Sequence, residues 1–150
     1  MTRKSESIAK LIEGLQGNYD AHYLGFFQCF NRQDYYEAHD VLEELWLTCK
    51  GQPDYLYYKG LIQAAGAFVH MKKQREYPTH HVHGKRLPAA GRLLTLALTN
   101  LRTYPGVHLN LDVAHVCMLL DGYYDRLELN QFQVNPYDPL HPPRIPFPSD

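Results

Sequence analysis

The chain has 150 residues, of which 45% are hydrophobic, 21% charged and 13% aromatic, the size and composition of one globular domain. A chain of this length buries roughly 68 to 70% of the surface its unfolded form exposes, so folding requires neither disulfides nor a metal. Fifteen Lys and Arg against sixteen Asp and Glu leave a net charge of -1, which argues against a dedicated nucleic-acid or membrane-surface protein.

Apolar residues recur at spacings of three and four almost throughout, without the sustained alternation of strands, so the expected fold class is all-α, a compact bundle of five or six helices. Ile8, Leu11, Ile12 and Leu15 predict a first helix ending near Gly14 and Gly17. Tyr23, Phe26, Phe27 and Phe30 predict a second, aromatic and buried. Asp34, with Glu37 three residues on, has the pattern of a capping box and opens a helix to about Cys49, before Gly51 and Pro53. The next helix, about Asp54 to Lys73, carries Gly60, Ala64 and Ala67 along one side, small residues that let another helix approach closely. Gln74 to Leu87 reads as a loop. Pro88 then suits a first helical turn, and Leu93, Leu94, Ala97, Leu98 and Leu101 supply an apolar stripe as far as Tyr104-Pro105-Gly106. A last helix opens near Asn110 or Asp112, with Val113, Val116, Cys117, Leu120, Tyr124 and Leu127 at helical spacing.

Residues 1–130 are therefore expected to form one helical domain and residues 131–150 an extended tail, in which six prolines fall within the last fifteen residues. Leu140, Ile145 and Phe147 offer apolar side chains for docking this tail on the body or on a neighbouring subunit; a loose tail is the alternative. Cys29, Cys49 and Cys117 cannot all pair within the chain and form no Cys-x-x-Cys, which suits a reducing compartment. The N-terminal residues lack the apolar run of a secretory signal. The apolar runs Leu61 to Met71 and Val113 to Leu120 fall short of the roughly 20 residues of a membrane span. A soluble, cytoplasmic protein without membrane contact is expected.

One stretch breaks the local pattern. At about 100° per residue, Tyr35, Tyr36, His39, Leu42, Glu43 and Trp46 share a helix face, so a histidine and a carboxylate interrupt an aromatic and apolar stripe. Glu37, Asp40 and Glu44 point away and read as solvated charges. On the following helix Gly60, Gln63, Ala67 and His70 share a face. Packing that small side against the His39 face would bring His39, Glu43, Gln63 and His70 into one pocket bordered by Tyr35, Tyr36 and Trp46.

The run Phe30-Asn31, Tyr36-Glu37-Ala38-His39 and Leu42-Glu43-Glu44-Leu45-Trp46, followed by Gly60-Leu61-Ile62-Gln63-Ala64-Ala65 and His70, resembles the family catalogued as domain of unknown function 309. The resemblance extends more weakly to Arg92-Leu93-Leu94, Leu101, Tyr104-Pro105 and the last helix. It implies a small all-helical fold with a pocket near His39, Glu43 and Trp46, and it brings no established activity. Asp40 stands where the family pattern usually has glutamate, and the His-rich loop and proline-rich tail are additions to that pattern.

Two readings of the polar residues stand. In the first, His39, Glu43 and His70 hold one divalent metal ion as a two-His, one-carboxylate set, or line a pocket for a small polar ligand with Gln63, Tyr36 and Trp46, an arrangement suited to metal-assisted hydrolysis or oxygen chemistry. In the second, a structural or adaptor protein, the same residues form a buried network that fixes helix register, and the tail or the basic loop meets a partner. His80, His81 and His83 form a His-His-x-His loop, read as solvated. Lys72, Lys73, Arg75, Lys85, Arg86 and Arg92 face only Glu76, a basic segment that could hold a phosphate or a nucleic-acid backbone; a charged, solubilising loop is the favoured reading, because Tyr77 is its sole aromatic. Tyr55, Tyr57 and Tyr58 suit a pocket mouth or a homo-oligomer interface.

Overall fold

A computed structural model describes residues 2–81 and 83–146. Six helices follow in order: α1 (Arg3–Leu11), α2 (Ala21–Asn31), α3 (Tyr35–Trp46), α4 (Tyr55–Glu76), α5 (Leu87–Leu101) and α6 (Val113–Leu129). The all-α expectation is met, with one small addition. Strands β1 (Val107–His108) and β2 (Leu111–Asp112) form a two-residue hairpin before α6, antiparallel in register Val107 to Asp112 and His108 to Leu111. Its turn residues Leu109 and Asn110 have φ of 44° and 60°, the left-handed pair that a tight primed turn demands.

Caps set several boundaries. Thr2 accepts from the Ser5 N–H, Asp20 from His22 and Asp112 from His115, each satisfying a donor that the first helical turn leaves unpaired. Asp34 does precede α3, but its side chain makes no capping bond, so the expected capping box does not form. Instead Gln33 adopts φ 66° and the Asp34 N–H donates to the Cys29 carbonyl, turning α2 sharply into α3.

The core is strongly aromatic. Phe26, Phe27, Phe30, Tyr35 and Phe68 are buried and meet largely edge to face, as at Phe30–Phe68 with centroids 5.5 Å apart. Tyr57 and Tyr58 are buried with them rather than lining a pocket mouth. The hydroxyls of Tyr57 and Tyr23 lie 2.7 Å apart, and Tyr23 donates to the Leu109 carbonyl at 3.0 Å, anchoring the hairpin. At Gly60 an added Cβ would lie 2.8 Å from Leu101 Cγ, so the small side of α4 is where α5 approaches closely, not α3.

The proline-rich segment docks on the body. Tyr137 and Ile145 are buried, whereas Leu140 is exposed. Asn31 holds the Ile145 backbone, Asn135 donates to the Met71 carbonyl at 2.8 Å, and the Tyr137 hydroxyl donates to Gln33 Oε1. Phe147 lies outside the described residues. Among those residues, no helix is long and apolar enough to cross a membrane.

Candidate functional site

The buried face of α3 is Tyr35, Ala38, Val41 and Leu42, which leaves His39, Asp40 and Glu43 along the flank where α1 lies. One ligand atom from each of the three falls within 4.8 Å of the others. The His39 ring sits between the two acids, with Nδ1 3.1 Å from Asp40 and Nε2 3.7 Å from Glu43. Asp40, expected as a solvated charge, has a side chain only 16% exposed, against 32% for His39 and 27% for Glu43. Lys4 of α1 closes the group, its Nζ 2.9 Å from Glu43 and 3.5 Å from Asp40. The hydrogen bond to Glu43, together with the charge of Asp40, raises the Lys4 pKa against the opposing effect of desolvation.

The other residues singled out from the sequence have different partners. Gln63 accepts a 2.7 Å hydrogen bond from Asn100 of α5. His70 Nδ1 accepts one of 3.1 Å from Arg86, which also donates to His83 Nδ1 at 2.6 Å. Burial, followed by the charges of Arg86 and Arg92, lowers the His70 pKa. The cationic surroundings of His70 thus oppose a metal ion, whereas those of His39 are carboxylates. The polar side of α4 consequently serves α5, and in the structure His39 and Glu43 are grouped with Asp40 rather than with Gln63 and His70. Tyr36 is 62% exposed, its ring stacked over His39 with centroids 6.4 Å apart. Trp46 stacks on Tyr55 at 5.0 Å, and its buried indole N–H has no hydrogen-bond partner among the described residues.

Sequence reading missed two participants. Asp40 lies one residue from His39 and off the chosen face, and Lys4 is 39 positions from Glu43; only the docking of α1 brings it close. A second histidine–carboxylate pair, His108 Nε2 and Asp54 Oδ1 at 2.7 Å, lies where the hairpin meets the start of α4, with the Tyr57 ring 4.6 Å from the imidazole. Asp54 caps no backbone group of α4; it holds His108 instead.

The α2–α3–α4 part of the chain is similar to a known family model. Residues 23–81 match the family model described as Domain of unknown function (DUF309). No curated protein and no solved structure matches the chain. The matched segment runs from Tyr23 to His81 and so contains His39, Asp40, Glu43, Trp46, Gln63 and His70, while α1 with Lys4, α5, α6 and the docked C-terminal segment lie beyond it.

Proposed function

We propose that the protein is a small helical binding protein whose α3 flank takes up one divalent metal ion through His39, Asp40 and Glu43. The observation that carries this reading is the convergence of an imidazole and two carboxylates within 4.8 Å on consecutive helical turns. One nitrogen and two oxygen ligands suit zinc, manganese or ferrous iron, and three protein ligands leave coordination positions for water or a substrate. Such open positions are what metal-assisted hydrolysis or oxygen chemistry uses. His70, bonded to Arg86, is not part of this set, and the expected two-His, one-carboxylate site becomes a one-His, two-carboxylate site. Lys4 supplies positive charge to the carboxylates and is the natural competitor of the ion.

The test is metal content. Protein purified without a histidine tag and reloaded with zinc or manganese is expected to hold close to one ion per chain, and the His39→Ala, Glu43→Ala double variant to hold none. Equal metal in both proteins, or none in either after reloading, would reject the site.

A further inference from the structure

Away from the α3 flank, the surface where the basic loop meets the C-terminal segment carries two adjoining cavities. The first, about 480 Å3, lies along α5 and α6 and is walled by Gly91, Thr95, Leu96 and the rings of Tyr124 and Phe132. The second, about 720 Å3, opens beside the α4–α5 loop, where Arg75 and Lys85 face Gln133 and Asn135. Pro88 and Phe132 line both, so the two form one cleft with a dry end and a cationic end. Arg92 stands at the first cavity, and among the described residues no acidic side chain lines either. Among the described residues, neither Arg75, Lys85 nor Arg92 takes part in an ion pair within 4 Å, in contrast to Arg102, which is bonded to Asp121 at 2.6 Å.

The partition between the two ends is built into the backbone. After α6 the chain passes through Gln131 and Phe132 at φ 53° and 60°, left-handed values that non-glycine residues adopt only under strain. This turn is held by the Phe132 N–H donating to the Leu127 carbonyl at 2.8 Å. It lays the Phe132 ring on Gly91, where a Cβ would come within 2.6 Å of ring carbon Cε1. Only glycine at 91 lets the ring lie there. Leu96 remains 49% exposed at the apolar end, a surface that ligand burial would cover.

From this geometry we infer that the cleft binds a phosphate monoester carrying an apolar body, its head between Arg75 and Lys85 and its short alkyl body along Leu96, Tyr124 and Phe132. The two cations at the head end, Arg75 and Lys85, favour a doubly charged phosphate over a singly charged carboxylate. The apolar cavity falls within the range of about 300–1,000 Å3 typical of small-molecule sites. The inference is independent of any metal at His39.

Octyl phosphate below its micellar concentration is the probe, with octyl glucoside and inorganic phosphate as the single-feature controls, measured by titration calorimetry on the full chain. One molecule per chain is expected, bound at least tenfold more tightly than either control. Arg75→Glu with Lys85→Glu should weaken binding at least tenfold, and Leu96→Glu, at an exposed position on the opposite end, should do the same with the melting temperature kept. Octyl glucoside binding as tightly as octyl phosphate would overturn the proposal, as would unchanged affinity in both variants. A short single-stranded RNA that binds more tightly than octyl phosphate and is lost in the Arg75, Lys85 variant but not in Leu96→Glu would also overturn it, making the basic end a nucleic-acid surface.

Discussion

Asn31 holds Ile145 through two reciprocal hydrogen bonds, its Nδ2 donating to the Ile145 carbonyl at 2.7 Å and its Oδ1 accepting from the Ile145 N–H at 2.9 Å. A side-chain amide here stands in for a strand partner and fastens the segment around Ile145 to the end of α2. Each such bond contributes about 0.5–1.5 kcal/mol net. Asn31→Ala is therefore expected to cost about 1–3 kcal/mol and to lower the melting temperature by several degrees in a thermal melt. An unchanged melting temperature would mean that the segment's docking adds nothing to stability.

The Arg86–His70 contact makes stability depend on acid. Burial, then Arg86 and Arg92, hold the His70 pKa below its ordinary value of 6.5, and His83 shifts in the same direction. The unfolded chain thus binds more protons than the folded one. The resulting stabilisation is complete above pH 6.5 and is lost progressively as the pH falls below it. Melting temperatures measured between about pH 7.5 and 5 should fall less steeply for His70→Gln than for the wild type. Parallel profiles would remove His70 from the account.

Much of the fold follows from local physics that the sequence displays. Leu94, Ala97, Leu98 and Leu101 of the expected α5 stripe are buried while Leu93 is only partly so, and of the two expected starts of α6, Asn110 and Asp112, it is Asp112 that caps; both features need only helical spacing and a short acceptor. The hairpin escapes notice because Leu109-Asn110 is not the Asn-Gly or Asp-Gly pair that usually marks such a turn. The α3 flank is half legible: His39 and Glu43 stand out, but the helix is rotated so that Ala38 and Val41 face inward. Which neighbour covers each face depends on long-range docking. Gly60 and Gln63 share a side of α4, as helical spacing predicts, yet that side meets α5 rather than α3 because Gly60 admits Leu101. The fastening of the C-terminal segment rests on a contact across 114 residues, for which periodicity carries no signal.

Lys4 tests whether the α3 flank is electrostatically suited to a cation. Its side chain is 51% exposed, and ion pairs of this kind are worth about 0–1 kcal/mol, so Lys4→Ala should barely move the melting temperature. The same change removes the ammonium beside Glu43 and Asp40, and divalent-ion affinity at the flank should rise severalfold by calorimetry. Affinity that falls in Lys4→Ala would contradict the competition inferred between Lys4 and the ion.

Two glycines in helices should respond in opposite directions to an added side chain. Gly60 is buried where α4 meets α5, and a Cβ there would lie 2.8 Å from Leu101 Cγ and 3.3 Å from the Ala97 carbonyl oxygen. Leu101 is fully buried. Overpacking of this kind costs about 1–3 kcal/mol, and Gly60→Val, which adds branching at the contact, should lie at or beyond the upper end of that range. Gly122 of α6 is exposed, and nothing lies within 4 Å of the place its Cβ would take. There alanine gains the helix propensity that glycine lacks, about 0.8–1 kcal/mol, so Gly122→Ala should raise the midpoint of urea unfolding while Gly60→Val lowers it. A destabilised Gly122→Ala would mean that the exposed face of α6 is covered by something in solution, most directly a second copy of the chain, and sedimentation of the wild type would then decide it.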